Sequence, residues 1–344
     1  MSEFDHQVER DPSLLGDTTA IHMTASGADT GILKATPDNP VPQHARPGFF
    51  DGYRGRKIRY AVFGASSRPL KGTVILLTGR NECIEKYYET VTDLSARGFG
   101  VAIFDWRGQG GSQRLRKDGH RGYVERFSSY LHDIDRFFSE IVLPDCRGPY
   151  YVLAHSTGGL AALAALPSLV NRVRRIVLVA PFLTLDDLPF SVKTSRRIAG
   201  VLRALGLGWM YMSGGPWKPT PFDGNVVTSD PARYRRNVAI YETYPELATG
   251  SPTIAWAHAV ATASEMVHAR DFCARVQIPI LFVAAGADTV VSTRAIERYA
   301  RGIRSGSLIT IDGARHEILH ERDYFREQFF AAFDAFIPGS GADD

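Results

Sequence analysis

The pattern of apolar positions along the chain predicts a series of strands separated by helices. Ile58, Tyr60 and Val62 alternate with polar neighbours, which is typical of a strand that is buried on one face. Continuous apolar runs predict strands that are buried on both faces, at residues 73–78, 100–105, 150–154, 175–180, 278–285 and 307–311. Because such runs are common in parallel sheets, these segments are expected to form one sheet.

Apolar residues recur at helical spacing after most of these strands. One helix is predicted by Ile84, Tyr87, Tyr88, Val91 and Leu94, and it is expected to end at Gly98. Further helices are predicted at residues 127–141 and 157–166, from residue 293 onward and after residue 321. Buried strands that alternate with helices form parallel βαβ units, so the predicted fold class is α/β with a doubly wound, mostly parallel sheet.

The alternation of strands and helices breaks between Ala180 and Pro279. Ile198, Val201 and Leu205 have helical spacing there, glycine and proline interrupt the chain at 214–216, and no buried strand is evident. We therefore predict a helical cap, residues 182–252, inserted into a core formed by residues 46–181 and 253–338. Residues 1–45 lack apolar periodicity and are expected to form an N-terminal tail or arm.

Composition narrows the class of protein. The 344 residues are 44% hydrophobic and 22% charged, which is ordinary for a globular protein and excludes disordered, collagenous and coiled-coil classes. A net charge of +3 argues against a nucleic-acid interface. Three separated cysteines form neither a disulfide framework nor a zinc knuckle, and neither a signal peptide nor a membrane-length apolar run is evident. A cytoplasmic protein is expected, with its oligomeric state left open.

Residues 154–158, with the sequence AHSTG, lie where a predicted strand turns directly into a helix. The nucleophile elbow of serine hydrolases needs small residues two positions on either side of its serine, because the backbone turns sharply there. Gly158 meets this requirement, and Ala154 stands where glycine is more usual. The motif predicts Ser156 as a nucleophile and the Thr157 N–H as an oxyanion donor. An ordinary Gly/Ser turn between a strand and a helix is the alternative interpretation.

Three other candidate residues follow predicted strands at their carboxyl ends. Asp288 follows the run at 278–285 and His316 follows the run at 307–311, in the chain order that an α/β-hydrolase uses for its acid and histidine. The loop after 73–78 places the Arg80 N–H as the second oxyanion donor. Taken singly, Asp288 could be a helix N-cap and His316 a loop histidine, but open α/β sheets bind ligands at this edge.

Residues 316–320, with the sequence HEILH, match a zinc-protease motif. That motif needs a helix and a third metal ligand further along the chain. Asp323 and Arg326 occupy the positions where the longer form of the motif has glycine and histidine. A zinc peptidase therefore remains a minor alternative.

Several segments together resemble the α/β-hydrolase superfamily, and within it the monoacylglycerol lipases and lysophospholipases of the lysophospholipase L2 kind. The matching segments are 79–82, 86–87, 105–112, the elbow, 286–291 and 313–319, and they span about residues 50 to 337. Thr78 and Trp106 stand where the monoacylglycerol lipases commonly have histidine, which favours the lysophospholipase group. The resemblance implies an α/β-hydrolase with a helical cap, a triad of Ser156, His316 and Asp288, and oxyanion N–H groups from Arg80 and Thr157.

The expected function is therefore hydrolysis of carboxylic esters through an acyl-enzyme, without a metal or organic cofactor. The resemblance implies a small-molecule substrate with one fatty-acyl chain, a lysophospholipid or a monoglyceride. An acyltransferase with the same triad and a catalytically silent binding protein are further alternatives. The cap carries a local charge of +4 between residues 182 and 240, beside Trp209 and Trp217. This pattern suits peripheral contact with an anionic lipid surface, or equally a solvated helix face.

Overall fold

The computed structural model of the protein describes residues 31–184 and 192–338. In these two ranges, eight strands form one sheet. They are β1 (Ala45–Gly52), β2 (Arg56–Phe63), β3 (Gly72–Leu77), β4 (Phe99–Phe104), β5 (Tyr150–His155), β6 (Val173–Val179), β7 (Ile280–Ala285) and β8 (Gly306–Ile311). Their order across the sheet is β1-β2-β4-β3-β5-β6-β7-β8.

The sheet is parallel except around β2. Strand β2 pairs antiparallel with both β1 and β4, and every other neighbouring pair is parallel. All six residues of β3 are buried, as the continuous apolar run predicted. This doubly wound, mostly parallel sheet is the predicted fold class, and the strands that carry the candidate site are those that were expected.

Strand β1 was not predicted from the sequence. Its residues show no regular alternation, and Pro47 and Gly48 interrupt the apolar pattern. A proline is tolerated here because β1 lies at the edge of the sheet, where one side of the strand has no ladder to complete.

Helices connect the strands and cover the sheet. The longer ones are α1 (Tyr88–Ala96), α2 (Ser128–Phe137), α3 (Thr157–Ala164), α4 (Val192–Ala204), α5 (Pro231–Thr243), α6 (Ile254–Val267), α7 (Thr293–Gly302) and α8 (Asp323–Phe336). Shorter α-helical segments are Leu143–Asp145, Leu166–Leu169 and Arg270–Cys273. Helix α2 continues through a π-helical turn, Phe138–Val142, into the first of these. Turns of 3-10 helix lie at Tyr53–Gly55, Ile84–Tyr87, Leu207–Trp209, Phe222–Gly224, Pro245–Leu247 and Ile318–His320.

Two apolar clusters lie on the two faces of the sheet. One contains buried residues of α2, α3, α6 and α7, and the other contains buried residues of α1 and α8. The two faces of a central strand therefore contribute to different clusters, as Ile75 and Val74 of β3 do. In the described ranges, no helix is long and apolar enough to cross a bilayer.

The described part of the predicted tail, residues 31–44, lies against the core. Leu33 is buried in one of the apolar clusters. The Lys34 N–H donates to Oε1 of Glu85 at 3.1 Å, and the Asn39 amide donates to the Glu85 carbonyl at 2.8 Å. These contacts fasten the segment to the 3-10 turn that precedes α1. Residues 1–30 lie outside the described residues.

The described part of the predicted cap contains α4 and α5 and no strand. Helix α5 is held to α1 by ion pairs from Arg233 and Arg236 to Glu89, at 2.6 and 2.7 Å. Helix α4 packs on α6, where Arg196 pairs with Glu265 at 2.9 Å. Residues 185–191 of the predicted cap lie outside the described residues, and the division into a core and a cap stays a prediction.

Candidate active site

Ser156 lies in a tight turn between β5 and α3. Its backbone has φ +50° and ψ −117°, a conformation that costs a non-glycine residue about 1–3 kcal/mol. Gly158 explains how the turn is accommodated, since a Cβ there would lie 2.3 Å from the carbonyl oxygen of Leu77 in β3. The sequence therefore folds this segment so that the serine follows directly from the carboxyl end of β5.

The structure brings Ser156, His316 and Asp288 together in one hydrogen-bonded chain. Nε2 of His316 lies 3.1 Å from Oγ of Ser156, and Nδ1 lies 2.8 Å from Oδ2 of Asp288. A carboxylate can only accept, so the proton belongs on Nδ1 and Nε2 is left to accept from the serine hydroxyl. The other Asp288 oxygen accepts from the N–H groups of Val290 and Val291, at 2.7 and 3.0 Å, which fixes the carboxylate.

The two predicted oxyanion donors lie at the same cavity as Ser156. Arg80 follows β3, and its neighbours already use their N–H groups, Gly79 to the Glu82 carboxylate and Asn81 to the side chain of Gln109. In the part of the chain that the structure describes, the N–H groups of Arg80 and Thr157 have no protein acceptor. Thr157 is the first residue of α3, where N–H groups lack intrahelical partners and the helix dipole favours negative charge.

The cavity around Ser156 has a volume of about 450 Å³. This volume lies within the usual range for small-molecule sites. The predicted cap supplies many of the apolar lining residues, namely Phe182, Met212, Trp217, Val227, Val238 and Tyr241, and the predicted core adds Trp256 and Val290.

A buried charged network, which we call the Glu82 network, lies beside this cavity and was not foreseen from the sequence. It consists of Glu82, Lys86, Tyr87, His155 and Glu317. The Glu82 carboxylate accepts from the Gly79 N–H, from the Tyr87 hydroxyl at 2.5 Å and from Lys86 Nζ at 3.0 Å. Its Oε1 also lies 3.1 Å from Nδ1 of His155. The network therefore joins the oxyanion loop to the elbow.

The same network reaches the loop that carries His316. Nζ of Lys86 donates to Oε1 of Glu317 at 2.6 Å, and Nε2 of His155 lies 3.2 Å from the carbonyl oxygen of His316. Glu82, Lys86 and Tyr87 lie within six positions of one another, whereas His155 and Glu317 come from distant parts of the sequence. The Glu82–Lys86 pair has i,i+4 spacing. That spacing was the available signal, but sequence alone does not show that both residues are buried.

Charge compensation keeps this network ionised. Burial alone would raise the pKa of Glu82, but Lys86 and His155 outweigh it and hold that pKa well below its usual range. Burial would likewise lower the pKa of His155, and the Glu82 carboxylate raises it instead. A buried pair that is mutually neutralised in this way is costly to break on one side only.

The HEILH segment does not form the helix that a zinc site would require. Residues Ile318–His320 make a single 3-10 turn, and His316 precedes it in a loop. The ring of His320 points to Lys86, whose carbonyl oxygen lies 2.9 Å from Nε2, whereas His316 faces Ser156. Burial and the nearby Lys86 lower the pKa of His320 to about 3, so its imidazole is neutral. The two histidines therefore serve different neighbours.

Asp105 and Arg107 follow β4 and carry opposite charges, but they do not pair with each other. Arg107 binds Asp133 at 2.5 Å, and Asp105 binds Arg59 at 2.6 Å. Each residue therefore binds a partner that is distant in sequence.

Comparison with known proteins identifies the family. The hydrolase family described as "Serine aminopeptidase, S33" matches residues 68–323. The chain belongs to this family. Lysophospholipase L2 of Escherichia coli is 33% identical over 294 residues, which cover 80% of this chain and 83% of that protein. The probable lysophospholipase L2 of Haemophilus influenzae is 26% identical over 84% of this chain and 91% of that protein.

Solved structures agree on the fold. A monoglyceride lipase from Saccharomyces cerevisiae has a TM-score of 0.68 at 18% identity, covering 87% of this chain and 98% of that chain. A thermostable carboxyl esterase from Bacillus coagulans has a TM-score of 0.67 at 19% identity, covering 87% and 99%. The predicted α/β-hydrolase fold is confirmed, and the protein is a carboxylic ester hydrolase of this superfamily.

Proposed function

We propose that this ester hydrolase cleaves single-acyl lipids, lysophospholipids or monoacylglycerols, through an acyl-enzyme on Ser156. The observation that carries the proposal is the hydrogen-bonded chain from Ser156 through His316 to Asp288. A serine hydroxyl becomes nucleophilic when a base accepts its proton and a third group orients that base. The E. coli and H. influenzae relatives, named as lysophospholipases, support the lipid substrate.

The proposed reaction has two halves. His316 Nε2 takes the proton of Ser156 as Oγ attacks the ester carbonyl, and the same nitrogen then protonates the leaving alcohol. His316 next activates a water molecule, which releases the fatty acid and restores the serine. Asp288 orients the imidazole and stabilises its charged form without taking the proton itself. The N–H groups of Arg80 and Thr157 stabilise the oxyanion in both tetrahedral intermediates.

The walls of the cavity suit a single acyl chain. The lining side chains that come from the predicted cap are mostly apolar or aromatic. We place the acyl chain among Met212, Trp217, Val238 and Tyr241. Each methylene group buried there would stabilise the bound substrate by about 0.8 kcal/mol. In this arrangement the cap determines which acyl chains bind, while the core performs the chemistry.

The test compares the wild type with Ser156→Ala and with Ser168→Ala, a serine outside the cavity. Ser156→Ala should lose ester hydrolysis and labelling by a fluorophosphonate probe while keeping its circular dichroism spectrum, and Ser168→Ala should keep both activities. A panel of lysophospholipids, monoacylglycerols, short p-nitrophenyl esters and aminoacyl p-nitroanilides then defines the substrate. Retained activity in Ser156→Ala would refute Ser156 as the nucleophile. Exclusive cleavage of short esters or anilides would refute the proposed lipid substrate.

The proposal includes peripheral contact of the cap with a lipid surface. Val201 of α4 and Leu205, which directly follows α4, are 61% and 69% exposed, and Ile198 lies on the same face as Val201. Helix α4 carries basic residues and no acidic one. These basic residues could bind anionic headgroups while the exposed apolar face inserts into the lipid surface.

Vesicle sedimentation tests this contact. Leu205→Glu should bind phosphatidylglycerol vesicles more weakly than the wild type, whereas Leu143→Glu, at a site that is also exposed but outside the cap, should not. Equal binding by the wild type and Leu205→Glu would contradict the proposed contact.

A further inference from the structure

The guanidinium of Arg80 is a largely buried cation without a carboxylate partner. Nη2 donates to the carbonyl oxygen of Gly250, and the group lies over the ring of Trp256 with its carbon 5.1 Å from the ring centroid. Nε is buried and has no acceptor. Among the described residues, no Asp or Glu lies within salt-bridge distance of this side chain.

The four most completely buried lysines and arginines of the described chain are all neutralised by carboxylates. Arg59 binds Glu85 and Asp105, Lys86 binds Glu82 and Glu317, Arg107 binds Asp133, and Arg326 binds Glu89 and Asp93. Arg114 is half-buried like Arg80 and has no carboxylate partner, but its guanidinium donates to four oxygen atoms. Arg80 has neither a carboxylate nor a full set of acceptors, and burial lowers its pKa to about 10. Burying a charge is unfavourable unless an opposite charge or a full set of hydrogen bonds compensates it. An anion bound beside Arg80 would supply that compensation.

Arg80 lies where a substrate would present such an anion. It lines the cavity that contains Ser156 and also the adjoining cavity formed by residues 214–218 and 249–252. Lys218 lines the same two cavities and is exposed at their edge. The carboxylates that line the Ser156 cavity, Glu82 and Glu317, already bind Lys86. The charge of Arg80 and Lys218 is therefore not cancelled within the site.

We propose that Arg80 and Lys218 form a subsite for an anionic phosphodiester attached to the leaving alcohol of the ester. This inference rests on the proposed function, because it places the ester carbonyl at the Arg80 N–H. The side chain of the same residue then starts beside the carbonyl, and the phosphate of a lysophospholipid lies only a few bonds from its ester oxygen. Arginine suits this role because its planar group can bind a phosphate through two parallel hydrogen bonds.

A fatty-acid carboxylate is the other anion that the reaction brings to the site. Its carboxyl carbon is the former ester carbonyl, so after release it lies at Ser156 and the oxyanion donors. The Arg80 guanidinium is held against Gly250 and Trp256, beside the adjoining cavity that Arg80 and Gly250 line, and we place the alcohol portion on that side. This position favours the phosphodiester.

The test measures a ratio, so that any general disturbance of the oxyanion loop cancels. The ratio is kcat/KM for a lysophosphatidylglycerol divided by kcat/KM for the monoacylglycerol with the same acyl chain. Arg80→Gln should lower this ratio by about 10- to 100-fold, the worth of a charge-assisted hydrogen bond. Lys218→Gln, at an exposed position, should lower it several-fold, and Arg301→Gln, which removes an equally positive charge from α7, should leave it unchanged.

Inhibition by small anions provides a second measurement. sn-Glycerol 3-phosphate should inhibit the wild type more strongly than glycerol does, and both Arg80→Gln and Lys218→Gln should reduce that difference. An unchanged substrate ratio in both variants would overturn the subsite. A ratio that stays constant while product inhibition by oleate weakens would overturn it in favour of a carboxylate site. Failure of the proposed function is distinct, since Ser156→Ala would then retain ester hydrolysis.

Discussion

Replacing Glu82 with glutamine removes the charge of the buried carboxylate while keeping its shape. In the wild type this carboxylate holds the Gly79 N–H at the start of the oxyanion loop and also binds Tyr87, Lys86 and His155. Glutamine retains one oxygen acceptor and presents an NH2 group where the other oxygen was. We expect the Thr78–Gly79 peptide, whose N–H this carboxylate binds, to lose its fixed orientation. The next peptide, which carries the proposed Arg80 N–H donor, should shift with it.

The structure sets the size of both effects. Removing one partner of a buried ion pair costs about 3–5 kcal/mol in the free energy of unfolding. Lys86 keeps Glu317 at 2.6 Å, so the charge is not left alone and a loss of about 2–4 kcal/mol is expected. Complete loss of one oxyanion donor lowers kcat by about 10²–10³. Because the N–H is displaced rather than deleted, a decrease in kcat of about 10- to 100-fold is expected, with little change in KM.

The assay measures kcat and KM on one soluble ester, together with urea denaturation to confirm that the variant is folded. Glu85→Gln is the matched control, because Glu85 is a buried carboxylate that binds Arg59 at 2.7 Å away from the cavity. It should lose comparable stability and keep kcat. The reasoning would be refuted by a folded Glu82→Gln enzyme with a wild-type kcat, or by an equal loss of kcat in Glu85→Gln.

Three further changes test the site and its support. Asp288→Asn should lower kcat by about three to four orders of magnitude, because the amide no longer fixes the proton on Nδ1 of His316. A stopped assay of ester hydrolysis at neutral pH measures this decrease, and near-normal turnover would contradict it. Gly158→Ala should inactivate the enzyme, because the Cβ of the alanine would lie 2.3 Å from a carbonyl oxygen of β3. Labelling of Ser156 by a fluorophosphonate should slow in this variant, and an unchanged labelling rate would contradict a rigid elbow. Arginines outweigh burial and lower the pKa of Glu89 to about 2, so its contribution to stability is complete above about pH 4.5 and is lost as the pH falls toward 2. Glu89→Gln, which loosens Arg233, should remove this part of the acid dependence, and identical acid titrations of unfolding would contradict it.

The predicted site residues share one feature that sequence can reveal. Ser156, Asp288 and His316 each follow a strand of the parallel part of the sheet, and parallel strands end at the same edge. A strand order consistent with an α/β-hydrolase therefore brings them together without any knowledge of side-chain contacts. The elbow is equally local, because it depends on small residues within five positions.

The features that could not be predicted depend on contacts between distant segments. The Glu82 network unites the loop after β3, the elbow and the loop after β8, and no periodicity reports which charged residues are buried there. The partner of Arg107 lies 26 residues away, although Asp105 is only two positions away in the sequence. Strand β1 was missed because an edge strand needs neither alternation nor a complete ladder.

The positive φ at Ser156 lowers the stability of the fold while it presents the side chain for the proposed catalysis. The angle of +50° is one that glycine adopts freely and serine does not, so the residue proposed to be most important for activity is also one that weakens the native state. A lineage of this protein released from selection for activity should drift toward glycine at this position and gain stability. A serine retained at position 156 is what continued selection for the proposed chemistry predicts.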